Sequence, residues 1–183
     1  MTVEPSVLRK LLKYDRNTGK LFWLKRLPEM FTDGRRAAEH QCADWNRRYA
    51  GKEAFTACNT DGYHHGKIMG KLYKAHRVIW ALESGSWPSS CIDHKNKDRT
   101  DNRFDNLREA TRAENSRNRS ALAGSSSKYL GVSWCKMNEK WLARIEVNGR
   151  QLSLGSFLSE AQAAKAYDAA AVKHFGEFAS VNL

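Results

Sequence analysis

The arrangement of residues around Asn148-Gly149 restricts the fold of this chain more than any other feature. Apolar and polar residues alternate on both sides of this dipeptide, which is typical of strands that bury one face. Asn-Gly between two such strands is the strongest short signal for a two-residue hairpin turn. If it forms the turn, Ile145 pairs with Leu152 and Ala143 pairs with Leu154 on the apolar face. The segment is therefore predicted to be an antiparallel hairpin.

The flanking segments complete a small sheet-and-helix domain. Residues 129–136 fit a third strand, and an alanine-rich helix follows the hairpin. Ser159-Glu-Ala-Gln162 predicts a capping box at the start of that helix, and Gly176 predicts its end. Small side chains allow the helix to lie close to the apolar face, which leaves the polar face for a ligand. By strand parity the polar face carries Ser133, Arg144, Glu146, Gln151 and Ser153.

Residues 127–183 resemble the AP2/ERF DNA-binding domain over their full length. The matching segments are 127–132, 140–145, 154–157, 160–164 and 166–170. Members of that family lay their sheet in the major groove, and sheets are known groove readers. The resemblance implies that the five polar-face residues contact DNA; the alternative is a face that is only solvated. At the positions where plant members carry base-contacting Arg and Trp, this chain has Leu130, Ser133, Cys135, Gln151 and Ser153. The DNA sequence recognised by plant members is therefore not expected to be the target of this chain.

A second segment, residues 91–118, carries groups suited to phosphodiester chemistry. Ile92 ends a short apolar run, residues 107–111 fit a strand, and Thr111-x-x-Glu114 is a capping box that opens a helix. This strand, loop, strand, helix order brings Asp93 and His94 towards Asn106 and Asn115. A carboxylate and an amide oxygen suit Mg²⁺, which keeps waters and phosphate oxygens as its other ligands. An imidazole is suited to act as a general base at neutral pH.

The same segment resembles the HNH endonucleases of the phage and intron homing type. The matching elements are Asp93-His94, Asp101-Asn102-Arg103, Asn106-Leu107-Arg108, and Thr111-Arg112 with Asn115. The resemblance implies a ββα-metal fold in which His94 is the general base and Asn106 orients it. It also implies that Asp93 and Asn115 hold one divalent cation, Mg²⁺ with Mn²⁺ as a substitute and not zinc. The alternative is a polar loop followed by a charged helix, which would have no catalytic role.

Several further residues in and near this motif are expected to assist. Arg103, Arg108 and Arg112 are expected to contact DNA. His76, Asn102 and Asn118 are auxiliary candidates. For His76 the alternative is a structural histidine that packs against the motif.

The predicted fold class is α+β, with four parts in chain order. A mixed α/β region (1–74) contacts DNA, a ββα-metal nuclease follows (75–119), and a linker (120–126) leads to the AP2-like domain (127–183). In the first part, residues 7–14 predict a helix, 21–24 a strand, and 66–69 with 72–75 a hairpin. Residues 75–83 predict a helix that ends at Gly85, whereas 35–52 are polar and give no prediction.

Charge and composition favour a polyanionic partner. The net charge is +11, and residues 1–86 hold 16 Lys and Arg against 9 Asp and Glu, a net +7. Lysine and arginine bind phosphates by releasing condensed counterions, so double-stranded DNA is the expected partner. The N-terminal region, with Arg35, Arg36, Arg47 and Arg48, should supply much of that attraction. The cysteines are too far apart for a CxxC site.

The function hypotheses belong to different classes. The leading one is a metal-dependent DNA endonuclease that is targeted by its C-terminal domain. The alternative is a non-catalytic transcription regulator or architectural protein with a vestigial motif, and an RNA-binding role would rest on charge alone. No apolar run is long enough for a membrane span and no coiled-coil pattern is present, so a cytoplasmic monomer is expected. The HNH resemblance implies that the protein is encoded by a phage and acts in a bacterial host.

Overall fold

A computed structural model describes residues 2–119, 121 and 124–183 of the chain. It divides into two compact units, Met1–Glu109 and Ala110–Leu183. The mixed α+β class is confirmed. The linker expected at 120–126 includes Ser120, Leu122 and Ala123, which lie outside the described residues, and the four-part division remains a prediction. No helix in the described ranges is long and apolar enough to cross a membrane.

The first unit combines three helices with small antiparallel sheets. The helices are α1 (Pro5–Leu11), α2 (Ala38–Tyr49) and α3 (Ala75–Ser84). Strands β1 (Leu12–Asp15), β2 (Lys20–Trp23) and β3 (Glu53–Ala54) form one sheet, and β4 (Ala57–Cys58), β5 (His64–Ile68) and β6 (Lys71–Lys74) form another. Strands β7 (Cys91–His94) and β8 (Leu107–Ala110) pair with each other.

One apolar core holds these elements together. Leu8 of α1, Leu21 of β2, Ile68 of β5 and Ile79 of α3 are almost fully buried in it. Helix α3 begins directly after β6 and buries six of its residues, so its position is fixed by the core. The helix ends at Gly85 as predicted, in the left-handed conformation that glycine adopts readily. This packing places His76, in the first turn of α3, inside the unit.

Two N-terminal segments differ from the sequence prediction. The helix predicted over residues 7–14 ends at Leu11, because Leu12–Asp15 pairs with Lys20–Trp23 as a strand. The polar stretch that gave no prediction forms α2. Tertiary hydrogen bonds anchor this helix, since the Asn46 amide accepts from the Arg26 backbone N–H (2.8 Å) and donates to the Arg26 carbonyl (3.0 Å).

The order of elements in the motif segment is confirmed. A 3-10 helix (Phe104–Asn106) leads from the loop after β7 into β8, and helix α4 (Arg112–Arg117) follows. The capping box at the start of α4 is present. Thr111 Oγ1 accepts from the Glu114 backbone N–H (3.2 Å), and the Glu114 carboxylate accepts from the Thr111 backbone N–H (2.7 Å). Helix α4 and the last residue of β8 belong to the second compact unit.

The second unit contains the predicted three-stranded antiparallel sheet. Its strands are β9 (Val132–Cys135), β10 (Lys140–Val147) and β11 (Arg150–Phe157), with β10 in the centre. The predicted pair of Ile145 with Leu152 is confirmed, and Arg144 pairs with Ser153 and Glu146 with Gln151. The predicted pair of Ala143 with Leu154 is wrong, because a β-bulge shifts the register and Ala143 pairs with Gly155. Gly155 accommodates the bulge with a φ of 123°, which other residues rarely adopt.

Helix α5 (Glu160–Phe175) covers the apolar face of this sheet. Ala163, Ala164 and Ala171 are completely buried, which lets the helix lie close to the strands. Gly176 ends the helix as predicted, but the predicted capping box is wrong because the Ser159 side chain makes no capping hydrogen bond. Trp134 of β9 pairs with Trp141 on the side of Val132, with 5.0 Å between ring centroids.

Candidate functional site

His94 is the last residue of β7, and its imidazole is held inside the first unit. The residue is only 3% exposed, and its Nε2 lies 3.0 Å from Asn102 Oδ1. The Asn102 amide nitrogen donates to the Thr100 carbonyl (3.3 Å), which orients the amide oxygen towards the imidazole. In that arrangement Nε2 carries the proton and donates it to Asn102, so the basic lone pair is on Nδ1.

The structure places the side chain of Asn102, and not that of Asn106, within hydrogen-bond distance of His94, and the orienting role assigned to Asn106 stays a prediction. Asn106 Oδ1 accepts from the Asn96 backbone N–H (3.0 Å), and its Nδ2 donates to Asn96 Oδ1 (2.9 Å) and to the Asp101 carbonyl (2.8 Å). The Asn106 carbonyl also accepts from the Lys95 N–H (2.9 Å). These bonds direct the Asn106 side chain into the loop between the strands, which it organises.

Asp93 precedes His94 and is paired with an arginine. The carboxylate is 4% exposed, and its Oδ2 accepts from Nε (2.9 Å) and Nη2 (2.7 Å) of Arg108. The Arg108 side chain is itself only 13% exposed. Arg108 pairs with Asp93 because a buried carboxylate needs a hydrogen-bonded partner, and its expected contact with DNA remains a prediction.

A cluster of aromatic rings surrounds His94. His76 packs edge-on against it with 5.2 Å between centroids, and Tyr63 lies 5.0 Å from His76 and 5.9 Å from His94. Burial lowers the pKa of His94 below its usual value, and the hydrogen bond to Asn102 opposes that shift. Burial, with His94 nearby, lowers the pKa of His76 to about 3. Both rings are therefore neutral at neutral pH.

The remaining arginines and asparagines of the motif occupy varied positions. Arg103 is exposed and forms a bidentate pair with Asp101 (2.8 and 2.6 Å), which lowers the pKa of that carboxyl to about 2. Arg112 is exposed on α4, which begins with it. Asn115 lies on the same helix, and its backbone N–H donates to the Thr111 carbonyl. Asn118 is the C-cap residue of α4.

The donor chemistry of Asp93 and Asn115 fits a hard divalent cation, since both offer oxygen atoms. Across the described residues, no three His, Cys, Asp or Glu side chains cluster as a metal cage. A cation held by two protein ligands would complete its shell with water and phosphate oxygens, as Mg²⁺ commonly does. The assignment of Asp93 and Asn115 as ligands remains a prediction.

A second candidate site is the sheet face turned away from α5, which we call the outer face. Arg144, Glu146, Gln151 and Ser153 are exposed on it, and Ser133 is half-buried. The register that pairs Leu142 with Ser133 and with Ser156 adds Leu142 and Ser156 to this face. Neither residue was predicted from the sequence. The outer face is therefore mixed in character: it carries the basic side chains of Arg144 and Lys140, the acidic Glu146, an amide, hydroxyls and an aliphatic side chain.

Three residues were missed in the sequence: Tyr63, whose ring contacts His94, and Lys74 and Arg99, which contact the Tyr63 ring. Lys74 Nζ lies 4.1 Å from the centroid of the Tyr63 ring, and Arg99 Cζ lies 5.1 Å from it. Lys74 immediately precedes the Ala75-His76 pair and Arg99 belongs to the motif loop, so both positions were adjacent to recognised residues. Tyr63 gave no sequence signal, because only the packing of the loop before β5 brings it to the site.

Comparisons with known proteins agree with this geometry. A family model described as HNH endonuclease matches residues 73–117. An uncharacterised HNH endonuclease of Acanthamoeba polyphaga mimivirus is 35% identical over 123 residues, which are 66% of this chain and 63% of that protein. Protein 3.8 of Escherichia phage T7 is 33% identical over 89 residues, which are 46% of this chain and 74% of that protein. The chain thus spans less than two thirds of the mimivirus relative.

Proposed function

Because the chain belongs to the HNH endonuclease family, we propose that it hydrolyses phosphodiester bonds of double-stranded DNA with His94 as the general base. The observation that carries this proposal is the buried imidazole of His94, fixed by Asn102 and adjacent to the carboxylate of Asp93. An orienting acceptor on one ring nitrogen and an acidic neighbour are what a base in metal-assisted hydrolysis requires.

The proton transfer is assigned to His94 Nδ1. Nε2 donates to Asn102 Oδ1, so Nδ1 accepts the proton of the water that attacks the phosphorus. Burial lowers the pKa of His94, which keeps the imidazole unprotonated before the reaction at neutral pH. Asn102 acts as a positioning residue, because it fixes both the tautomer and the ring plane.

Asp93 and Asn115 are proposed to hold one divalent cation, Mg²⁺ or Mn²⁺, and the HNH family typically uses such an ion. A bound cation would stabilise the charge that develops on the leaving oxygen. Arg108 contributes by holding Asp93 Oδ2 in place through two hydrogen bonds. The ββα-metal description of β7, β8 and α4 is part of the same proposal.

Target selection is assigned to the outer face of the second unit, as in an AP2-like domain. Its exposed polar side chains can reach base edges if the sheet enters the major groove. Arg103 and Arg112, which are exposed, and the basic N-terminal region are proposed to contact phosphates. The product is expected to be a nick if the protein acts as a monomer.

A plasmid assay tests the catalytic proposal. The protein is incubated with supercoiled DNA and Mg²⁺ or Mn²⁺, with EDTA as the control, and nicked and linear products are measured. We expect metal-dependent cleavage that falls about 100- to 10,000-fold in His94→Ala, the usual contribution of a general base. His174→Ala is the matched control, because His174 is exposed near the end of α5.

Binding measurements complete the test. His94→Ala should bind DNA as tightly as the wild type, since His94 is buried and proposed to act in chemistry. Full metal-dependent cleavage by His94→Ala would refute the mechanism. Tight binding by the wild type with neither nicks nor breaks would favour the non-catalytic regulator instead.

A further inference from the structure

The side chains of two basic residues, Lys74 and Arg99, lie over the ring of Tyr63, which contacts the proposed general base His94. The Tyr63 ring contacts His94, and Lys74 Nζ and Arg99 Cζ lie 4.1 and 5.1 Å from its centroid. Lys74 ends β6, Tyr63 precedes β5, and Arg99 comes from the loop between β7 and β8. Three separate segments thus converge on the same edge of the site.

Among the described residues, no carboxylate forms an ion pair with Lys74 or Arg99, in contrast to two arginines of the motif. Arg108 pairs with Asp93 and Arg103 with Asp101. The partner of Arg99 is the Asp61 carbonyl, which accepts from Nη1 (2.6 Å). A neutral backbone acceptor and an aromatic face orient a guanidinium and leave its charge intact.

The distances place these charges near the reacting phosphate. The Tyr63 ring centroid lies 5.9 Å from the His94 centroid, and this separation together with the distance from each basic group to Tyr63 gives an upper limit. Lys74 Nζ therefore lies at most 10.0 Å from the His94 centroid, and Arg99 Cζ at most 11.0 Å. Successive phosphates of one strand advance about 3.4 Å along the duplex axis. The two basic groups therefore lie within about three nucleotides of the phosphate that would be cleaved at His94.

We propose that Lys74 and Arg99 form a phosphate clamp that binds the backbone phosphates flanking the scissile bond, with Tyr63 as the ring that positions both. This inference rests on the proposed function, because it takes His94 as the reacting centre. The ligand class is a nucleic acid backbone, read without regard to base. The clamp binds the strand that carries the scissile bond and takes no part in proton transfer.

The test measures DNA binding by full-length protein in a His94→Ala background, where cleavage cannot interfere. Dissociation constants are determined from about 50 to 200 mM salt for Lys74→Gln/Arg99→Gln. Each lost phosphate contact lowers the salt slope by about 0.9, so the double variant should lose about 1.8. The control is Lys165→Gln/Lys173→Gln, which removes the same charge from exposed positions on α5, the side of the sheet opposite to the outer face.

Cleavage by the same variants with His94 intact gives the second readout. The clamp variant should raise KM and change kcat little, because the contacts exist in both ground and transition states. Tyr63→Phe should keep the wild-type salt slope, whereas Tyr63→Leu, checked for folding by thermal melting, should lose part of it. A salt slope equal to that of the α5 control would overturn the clamp. Absence of cleavage in the wild type would overturn the nuclease proposal, while the binding comparison would still decide the clamp.

Discussion

At the scale of single residues, Asn102 and Asn106 have different tasks although both lie in the motif. Asn102 bonds to His94, whereas Asn106 bonds to Asn96 and Asp101 within the loop. Asn102→Ala should lower kcat about 10- to 100-fold, the usual effect of removing an orienting partner. Asn106→Ala should chiefly destabilise the fold, by about 0.5–1.5 kcal/mol, because it removes the hydrogen bonds that Asn106 makes within the motif loop.

Single-turnover cleavage and denaturant unfolding of both variants separate these outcomes. Asn102→Asp is the matched control, since it keeps an acceptor oxygen of the same shape and should lose less activity than Asn102→Ala. If Asn106→Ala lost more activity per folded molecule than Asn102→Ala, Asn106 would be the orienting residue after all.

His76 should make the stability of the protein depend on pH. Its Nδ1 is buried without a hydrogen-bond partner, and the pKa of the folded residue is about 3 against 6.5 when unfolded. Between those values the unfolded chain binds the proton and the folded one does not, so stability falls as pH drops from about 6.5. The slope reaches up to about 1.4 kcal/mol per pH unit. His94, whose pKa is also lowered, adds a loss of the same sign.

The measurement is the free energy of unfolding at pH 7.5, 6 and 5. His76→Phe keeps a ring against Tyr63 and His94 but cannot be protonated, so its stability should fall less than that of the wild type. His174→Phe, at an exposed position, should follow the wild type. Parallel curves for the wild type and His76→Phe would contradict the prediction.

At the scale of secondary structure elements, the surroundings of α2 separate arginines that look equivalent in the sequence. Asp44 pairs with Arg36 (2.7 Å) and Arg47 (3.1 Å), whereas Arg35 and Arg48 form no ion pair in the part of the chain that the structure describes. All four are exposed. Arg35→Gln/Arg48→Gln should lower the salt slope of DNA binding by about 2.

Arg36→Gln/Arg47→Gln is the matched control, because it removes the same charge from neighbouring positions. Its effect on the salt slope should be smaller, since Asp44 already offsets part of that charge. Equal slopes for the two double variants would show that Asp44 does not distinguish the arginines. If both double variants had the wild-type salt slope, the arginines at and near α2 would not contact DNA.

Elements fixed by local sequence were predicted well, and those fixed by distant contacts were not. The hairpin at Asn148-Gly149 follows from its turn residues, and its register holds from Val147 to Arg144. Beyond the bulge the alternation no longer determines the partner. Helix α2 has few buried residues and depends on hydrogen bonds to Arg26, which the sequence does not reveal. Likewise, Asn102 rather than Asn106 reaches His94 because of how the motif loop folds.

At the scale of the whole molecule, the proposed proton-transfer residues and the outer face belong to different compact units. His94, Asn102, Asp93 and Arg108 lie in Met1–Glu109, whereas the outer face lies in Ala110–Leu183. Asn115, the proposed second metal ligand, also lies in Ala110–Leu183, so the division is between the proton-transfer residues and the outer face. Substitutions in these two sets of residues should affect cutting and the choice of cleavage site separately. Neither Arg144 nor Gln151 is part of a core cluster, so both can be replaced with little effect on folding.

We expect Arg144→Ala/Gln151→Ala to change the distribution of cleavage sites while the rate of plasmid nicking at saturating protein stays near that of the wild type. Each lost base contact typically costs about 1–3 kcal/mol of discrimination, enough to redistribute cuts among related sites. Sequencing the ends of cleaved genomic DNA measures the distribution, with Lys165→Gln/Lys173→Gln as the control for charge and surface changes. An unchanged distribution would leave the outer face as a merely solvated surface, and a parallel loss of nicking would show that the two units do not divide the work.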